Sequence, residues 1–144
     1  MKVLVGLAIA AVLAALATNW ARHRGETLLH HSFDTALPGQ VEAHPWAPLE
    51  HGKPLLADSV TFRSGTVTTA RCRAALGSYQ VLINHRFSFQ KSASRAKTGC
   101  PGRHLQSALS HATHVEIEPH GKAERLVFTN DEDHTVAQLQ GRGN

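Results

Sequence analysis

Two cysteines, one methionine, one tyrosine and two tryptophans in 144 residues exclude a disulfide-dense scaffold and leave few rings for stacking bases. Charged side chains make up 18% of the chain and hydrophobic ones 42%, a mix that excludes low-complexity disorder, collagen and a polytopic membrane protein. Catalytic signatures are missing as well. The chain holds no GxSxG elbow, no phosphate loop, no GxGxxG after a strand, no HExxH and no paired CxxC. Acid is missing from a long internal stretch, since neither Asp nor Glu occurs between Ser59 and Val115.

What is present begins with a leader. Met1 and Lys2 give a positive start, residues 3–17 are apolar and uncharged, and Ala15, Leu16 and Ala17 end the run with small residues where signal peptidase reads. The apolar run is shorter than the ~20 residues of a spanning helix, which favours a cleaved signal peptide over residues 1–17. Trp20, Arg22 and Arg24 leave the alternative of an uncleaved anchor extending to about residue 20. Either way the chain is expected to be exported to the periplasm, the cell envelope or the outside. It would touch a membrane only through this segment. Export favours a bond between Cys72 and Cys100, closing a loop of about 29 residues and contributing on the order of 3.5 kcal/mol. Inert buried thiols, or a reactive cysteine beside a histidine, are the alternatives.

Residues 18–58 carry prolines 38, 45, 48 and 54 with glycines 25, 39 and 52, and read as a linker and irregular lead-in. A short strand is expected at 28–33, and Trp46 is expected to anchor the segment in the core. From Ser59 the pattern turns to period two. Strands are expected at 60–63, 66–70 and 79–83, with Gly65 in the first turn and Asn84-His85 in the next, leading into 86–90. Residues 91–101 read as a loop. Leu105, Ala108, Leu109 and Ala112 mark one helix over about 102–113. Val115 and Ile117 then alternate with Glu116 and Glu118 until Pro119, and 126–129 and 135–139 make a closing hairpin. The order predicts an α+β domain over 59–140: a curled antiparallel β-sheet with one packed helix, behind an N-terminal signal or anchor helix.

The stretch from Val60 to Gln140 resembles the META domain of HslJ-like, heat-shock-associated envelope proteins. The matching residues are Cys72, Gly77-Ser78-Tyr79, the strand at Phe87–Phe89, Gly99-Cys100-Pro101 and the closing strand at 124–129. Where the family has Gly-Cys-Asn, this chain has Arg71-Cys72-Arg73. The resemblance implies an exported, non-enzymatic domain acting in stress tolerance or surface maintenance through protein or surface contacts. It also implies structural roles for Cys72, Gly77, Tyr79, Cys100 and Pro101. Gly77 would provide a turn with positive φ, and Tyr79 a buried ring with a polar tip. The family brings no shared catalytic centre, and no catalytic residue or cofactor is expected.

Eleven histidines raise a second possibility, a ligand- or metal-binding module. His104 and His111 stand seven apart, about 10 Å along a helix, too far for one ion, so solvated histidines are the simpler account. Glu116 and Glu118 share a strand face, where a solvated edge is simpler than a catalytic pair. Charge is segregated: residues 59–115 carry +8, with 25–58 and 116–133 each at −4. Arg71, Arg73, Arg86, Lys91, Arg95, Lys97 and Arg103 form a candidate basic face for an anionic envelope component. The favoured account is compensation, with acidic strands lying beside the basic ones and neutralising them. Nucleic acid is not expected as a partner.

Overall fold

Alternation of apolar and polar side chains governs the strands of this protein. The computed structural model describes residues 34–71, 75–93 and 102–141. The leader, the strand expected at 28–33, both cysteines, Pro101, Arg73, Arg95 and Lys97 lie outside these residues.

Strand β3 (Val60–Arg63) buries Val60 and Phe62 completely and turns Arg63 to solvent. Ser64 and Gly65 then both take positive φ, 48° and 76°, and join β3 to β4 (Thr66–Thr69) through a two-residue turn that matches the twist of the strands. Next comes β5 (Ala75–Val81), which starts four residues before the expected Tyr79. Thr68 pairs with Ala75 and Val67 with Gly77, so Leu76 is a bulge residue, and its side chain is buried in the core. From β5 the chain reaches β6 (Phe87–Lys91) through a loop in which His85 takes φ 65° and its N–H bonds the Leu82 carbonyl at 3.0 Å. The same loop geometry recurs at Asn130–His134 between β8 (Ala123–Thr129) and β9 (Thr135–Gly141), with Asp133 at φ 59°. There the Asn130 side chain accepts the N–H groups of Glu132 and His134. Strand β7 (His114–His120) runs through Pro119, which pairs with Glu124, instead of stopping at it. Proline is tolerated because β7 is the last strand of the sheet and the missing N–H faces away from β8.

The lead-in contributes more regular structure than its prolines suggest. Helix α1 (Leu37–Glu42) has Pro38 in its first turn, where no N–H is needed, and buries Leu37 and Val41. Strand β1 (Trp46–Glu50) lies inside the sheet between β3 and β9, and its short partner β2 (Lys53–Pro54) follows a turn at His51-Gly52. Trp46 is the anchor expected of it: fully buried, with Nε1 donating to the Val41 carbonyl at 2.8 Å, so that an otherwise unpaired carbonyl of α1 is satisfied.

The strand order is β6-β5-β4-β3-β1-β9-β8-β7, antiparallel throughout, with β2 on the side of β1. This long sheet curls until its two end strands meet at the Arg86–His114 bridge, where Phe87 N–H bonds the Thr113 carbonyl and Val115 N–H bonds the His85 carbonyl. The result is a half-barrel. Phe62, Phe87 and Phe128 fill it, with centroids 6.0 Å apart for Phe62–Phe128 and 4.8 Å for Phe87–Phe128. Helix α2 (Arg103–Leu109) adds Leu105 and Leu109 to the same core. It is shorter than the expected 102–113. His111 and Ala112 close tight turns on Ala108 and Leu109, and Thr113 is already drawn into the sheet by bonds to Phe87 and Thr129.

Candidate functional site: a groove beside helix α2

Helix α2 is positioned by the β5 bulge. The Leu76 carbonyl accepts from Ser92 N–H at 2.9 Å and from the Gln106 side-chain amide at 2.7 Å. Gly102 sits so close that a Cβ there would meet Leu76 Cδ2 at 2.5 Å. Held in this way, α2 leaves a cleft of about 260 Å³ between itself, β1, β9 and the 3-10 turn Leu56–Asp58. Leu49, Leu55, Leu105, Val136 and Ala137 supply its apolar lining, and Glu50, Asp58, His104 and Gln138 its polar atoms. A second, more open hollow of about 510 Å³ lies against His111, Asn130, Asp131 and Glu132. Ala108 and Val136 line both.

Of the basic residues, Arg71 follows β4, Lys91 ends β6 and Arg103 opens α2, so all three belong to one end of the half-barrel. Arg86 lies at the opposite end of β6, on the bridge to His114. Strands β3 to β6 form one contiguous run and β7 to β9 another, separated by β1. Among the described residues, the ion pair that links the basic stretch to an acid is Arg71–Asp58 at 3.5 Å, with the arginine largely exposed. Glu118 faces Arg125 within the β7–β8 hairpin. Glu116 and Glu118 are both exposed on the outer face of β7.

The histidines scatter over several elements. His104 is exposed on α2, and His111 is exposed in the turn that follows it. His85 Nδ1 lies 3.3 Å from the Val115 carbonyl, His114 Nδ1 3.0 Å from Thr113 Oγ1, and His120 Nε2 2.8 Å from Arg125. His44 stacks edge-on to Trp46 at 4.3 Å and reaches Glu124 at 3.5 Å. Among the described residues, no group of three His, Cys, Asp or Glu side chains is placed to hold a metal ion.

Two residues of the META-like signature fall within the described chain. Gly77 does not provide a turn with positive φ: it lies inside β5, where a Cβ would meet the Gln90 carbonyl oxygen at 2.2 Å and Phe89 Cζ at 2.6 Å. Close approach of β6 and its Phe89 ring, not an unusual dihedral, is what requires glycine. Tyr79 is half-buried, with its ring edge-on to Phe62 at 5.1 Å. Its hydroxyl donates to Glu42 Oε1, which also accepts Ser64 N–H at 3.1 Å. Burial, followed by the Glu42 carboxylate, pushes the phenol well above its usual range. Nothing in the sequence announces this contact, because Glu42 and Tyr79 are 37 residues apart. Comparison of the chain with protein-family models, curated proteins and solved structures finds no match.

Proposed function

We propose that this chain is an exported, non-enzymatic META-like domain that acts in the cell envelope, in stress tolerance or surface maintenance, through contacts with other molecules. The curled antiparallel sheet with helix α2 packed into its core carries this reading. The arrangement is what the resemblance implies, and it brings the signature residues Gly77 and Tyr79 onto one strand against the aromatic core. The test is made in the encoding organism. Deletion of the gene should raise sensitivity to heat or envelope stress, and the full chain should restore tolerance. A chain lacking residues 1–17 should not, and cell fractionation should find it retained inside. Rescue by the leaderless chain would overturn the envelope assignment.

A second reading has its own observation, the convergence of Arg71, Lys91 and Arg103 on one end of the half-barrel. A basic end of this kind suits an anionic envelope component. Binding to anionic vesicles should fall steeply between low and moderate salt if it operates. Salt-independent binding, or none, would remove it.

A further inference from the structure

Two loops of the sheet share one backbone geometry and carry opposite chemistry. In the β5–β6 loop, Leu82 N–H bonds the Arg86 carbonyl at 2.9 Å, His85 N–H bonds the Leu82 carbonyl at 3.0 Å, and His85 takes φ 65°. In the β8–β9 loop, Asn130 N–H bonds the His134 carbonyl at 3.0 Å, Asp133 N–H bonds the Asn130 carbonyl at 3.1 Å, and Asp133 takes φ 59°. The second loop places Asn130, Asp131 and Glu132 where the first has Leu82, Ile83 and Asn84. The turn therefore does not require an aliphatic residue at either position. Leu82 and Ile83 are each 42% exposed, and neither joins Tyr79, Val81 and Phe89 of the flanking strands in packing against the core. Adjacent exposed aliphatic side chains that neither the turn nor the core accounts for mark a contact surface. Arg86 beside them is exposed and makes no ion pair among the described residues. Asp34 meets the loop through its backbone, giving its N–H to the Ile83 carbonyl at 2.9 Å, while its carboxylate accepts the Ala36 N–H at 2.9 Å.

We infer that the Leu82–Ile83 loop inserts into the surface of an anionic lipid bilayer, with both aliphatic side chains among the acyl chains and the Arg86 guanidinium on the lipid phosphates. Three observations select lipid. The loop offers two aliphatic side chains and a free cation but no aromatic ring, whereas protein interfaces concentrate rings at their centre. Its backbone is spent inside the fold: Leu82 N–H and C=O bond within the turn and Ile83 C=O takes the Asp34 N–H, so an added peptide strand would find these groups occupied. The lead-in also enters the described domain at Asp34, beside Ile83, so a chain held to a membrane through its leader would be held from this end. The contact is separate from Arg71, Lys91 and Arg103, since Arg86 and Lys91 stand at opposite ends of β6. It rests on the reading of the chain as an envelope protein and gives that protein's surface contact a chemistry.

The test is tryptophan emission of the full chain mixed with phosphatidylglycerol vesicles whose acyl chains are brominated, since bromine quenches indole on contact. Parent, Ile83→Trp and Gln90→Trp chains are compared. Gln90 is exposed on β6 next to Lys91, so it carries the same added ring to the basic end. The leader, Trp20 and Trp46 are common to all three chains, and the parent signal is subtracted. The ring of Ile83→Trp should lose about half of its added emission at saturating lipid, and that of Gln90→Trp should keep its own. Exchanging the vesicles for brominated phosphatidylcholine, or adding Arg86→Gln to the Ile83→Trp chain, should each cut the quenching about twofold or more. Thermal melting checks that each variant folds; should Ile83→Trp not fold, Leu82→Trp replaces it. Absence of added quenching at residue 83 would overturn the proposal and give the loop to a protein partner. Equal or stronger quenching at residue 90 would overturn it by placing the membrane at the basic end. Equal quenching by the two lipids, or no effect of Arg86→Gln, would overturn the anionic contact. Because purified chain and vesicles suffice, failure here leaves the export reading standing, and rescue by a leaderless chain leaves the vesicle result standing.

Discussion

Replacing Gly77 by alanine adds one methyl group, and the structure fixes what it would meet. The new carbon would lie 2.2 Å from the Gln90 carbonyl oxygen and 2.6 and 2.8 Å from two carbons of the Phe89 ring, where ordinary contact begins at 3.4 Å. Phe89 can yield by rotating. The carbonyl cannot, because Ser78–Gln90, Gly77–Lys91 and Tyr79–Phe89 are consecutive pairs of the β5–β6 ladder. Relief therefore means opening that part of the ladder. Two weakened backbone bonds at about 1 kcal/mol each, with a displaced half-buried ring, bring the cost to about 3 kcal/mol. For a folded unit of this size that is a fall in Tm of about 10–15 °C, accompanied by faster amide exchange along Phe87–Lys91. Asparagine discriminates between the two explanations for a glycine here. Were positive φ the requirement, Gly77→Asn would be milder than Gly77→Ala. Close approach predicts the reverse, with Asn the more damaging. A Gly77→Ala variant melting within about 2 °C of the parent, or an Asn variant more stable than the Ala one, would refute the steric account.

Gly39 should respond in the opposite sense: it lies in α1 with nothing within 4 Å of an added Cβ, so Gly39→Ala should raise stability by about 0.5–1 kcal/mol, visible as a higher urea midpoint. Gln106→Ala removes the amide that bonds the Leu76 carbonyl at 2.7 Å, and should lower stability by about 1 kcal/mol with an unchanged denaturant slope. Tyr79 is the only tyrosine, so absorbance at 295 nm reports it alone; the folded chain should show no tyrosinate at pH 10, and Glu42→Gln should bring ionisation to lower pH. The sign for stability follows from a raised phenol: the contribution of Tyr79 is fully present below its unfolded value of 10.0 and is lost as pH rises beyond it toward the folded value. Guanidine unfolding at pH 8 and at pH 10.5 checks this, and greater stability at the higher pH from a chain differing only by Tyr79→Phe would support it.

Much of the sheet was legible because one face of each strand is covered and the other wet. Val60 and Phe62, and Val115 against Glu116 and Glu118, show the two-residue period that such a surface imposes. The helix stripe Leu105–Leu109–Ala112 was legible for the corresponding reason at a period near four. Strand β1 was not, because Trp46 and Ala47 are consecutive and both buried, which breaks the period, while Pro45 and Pro48 read as turn residues. The bulge at Leu76 hid the start of β5 in the same way, by placing Leu76 and Gly77 side by side in the interior. The groove escaped the sequence altogether. The walls of the cleft come from β1, the 3-10 turn, α2 and β9, and no local spacing connects Glu50 with His104 or Gln138.

Strand order also explains why the charge segments of the sequence survive folding as separate sectors. A Greek-key exchange of strands would have interleaved the +8 stretch with its acidic flanks and cancelled it locally. Here β3, β4, β5 and β6 follow one another in space as in sequence, and so do β9, β8 and β7, so that each run keeps its own sign. Among the described residues the runs are joined in the sheet by strand β1, inserted between β3 and β9, and by the bridge at Arg86–His114, and helix α2 packs across both. The cleft beside α2 lies along β1 and β9, and the basic run, whose Arg71, Lys91 and Arg103 collect at its end, reaches the cleft through the Arg71–Asp58 ion pair at 3.5 Å.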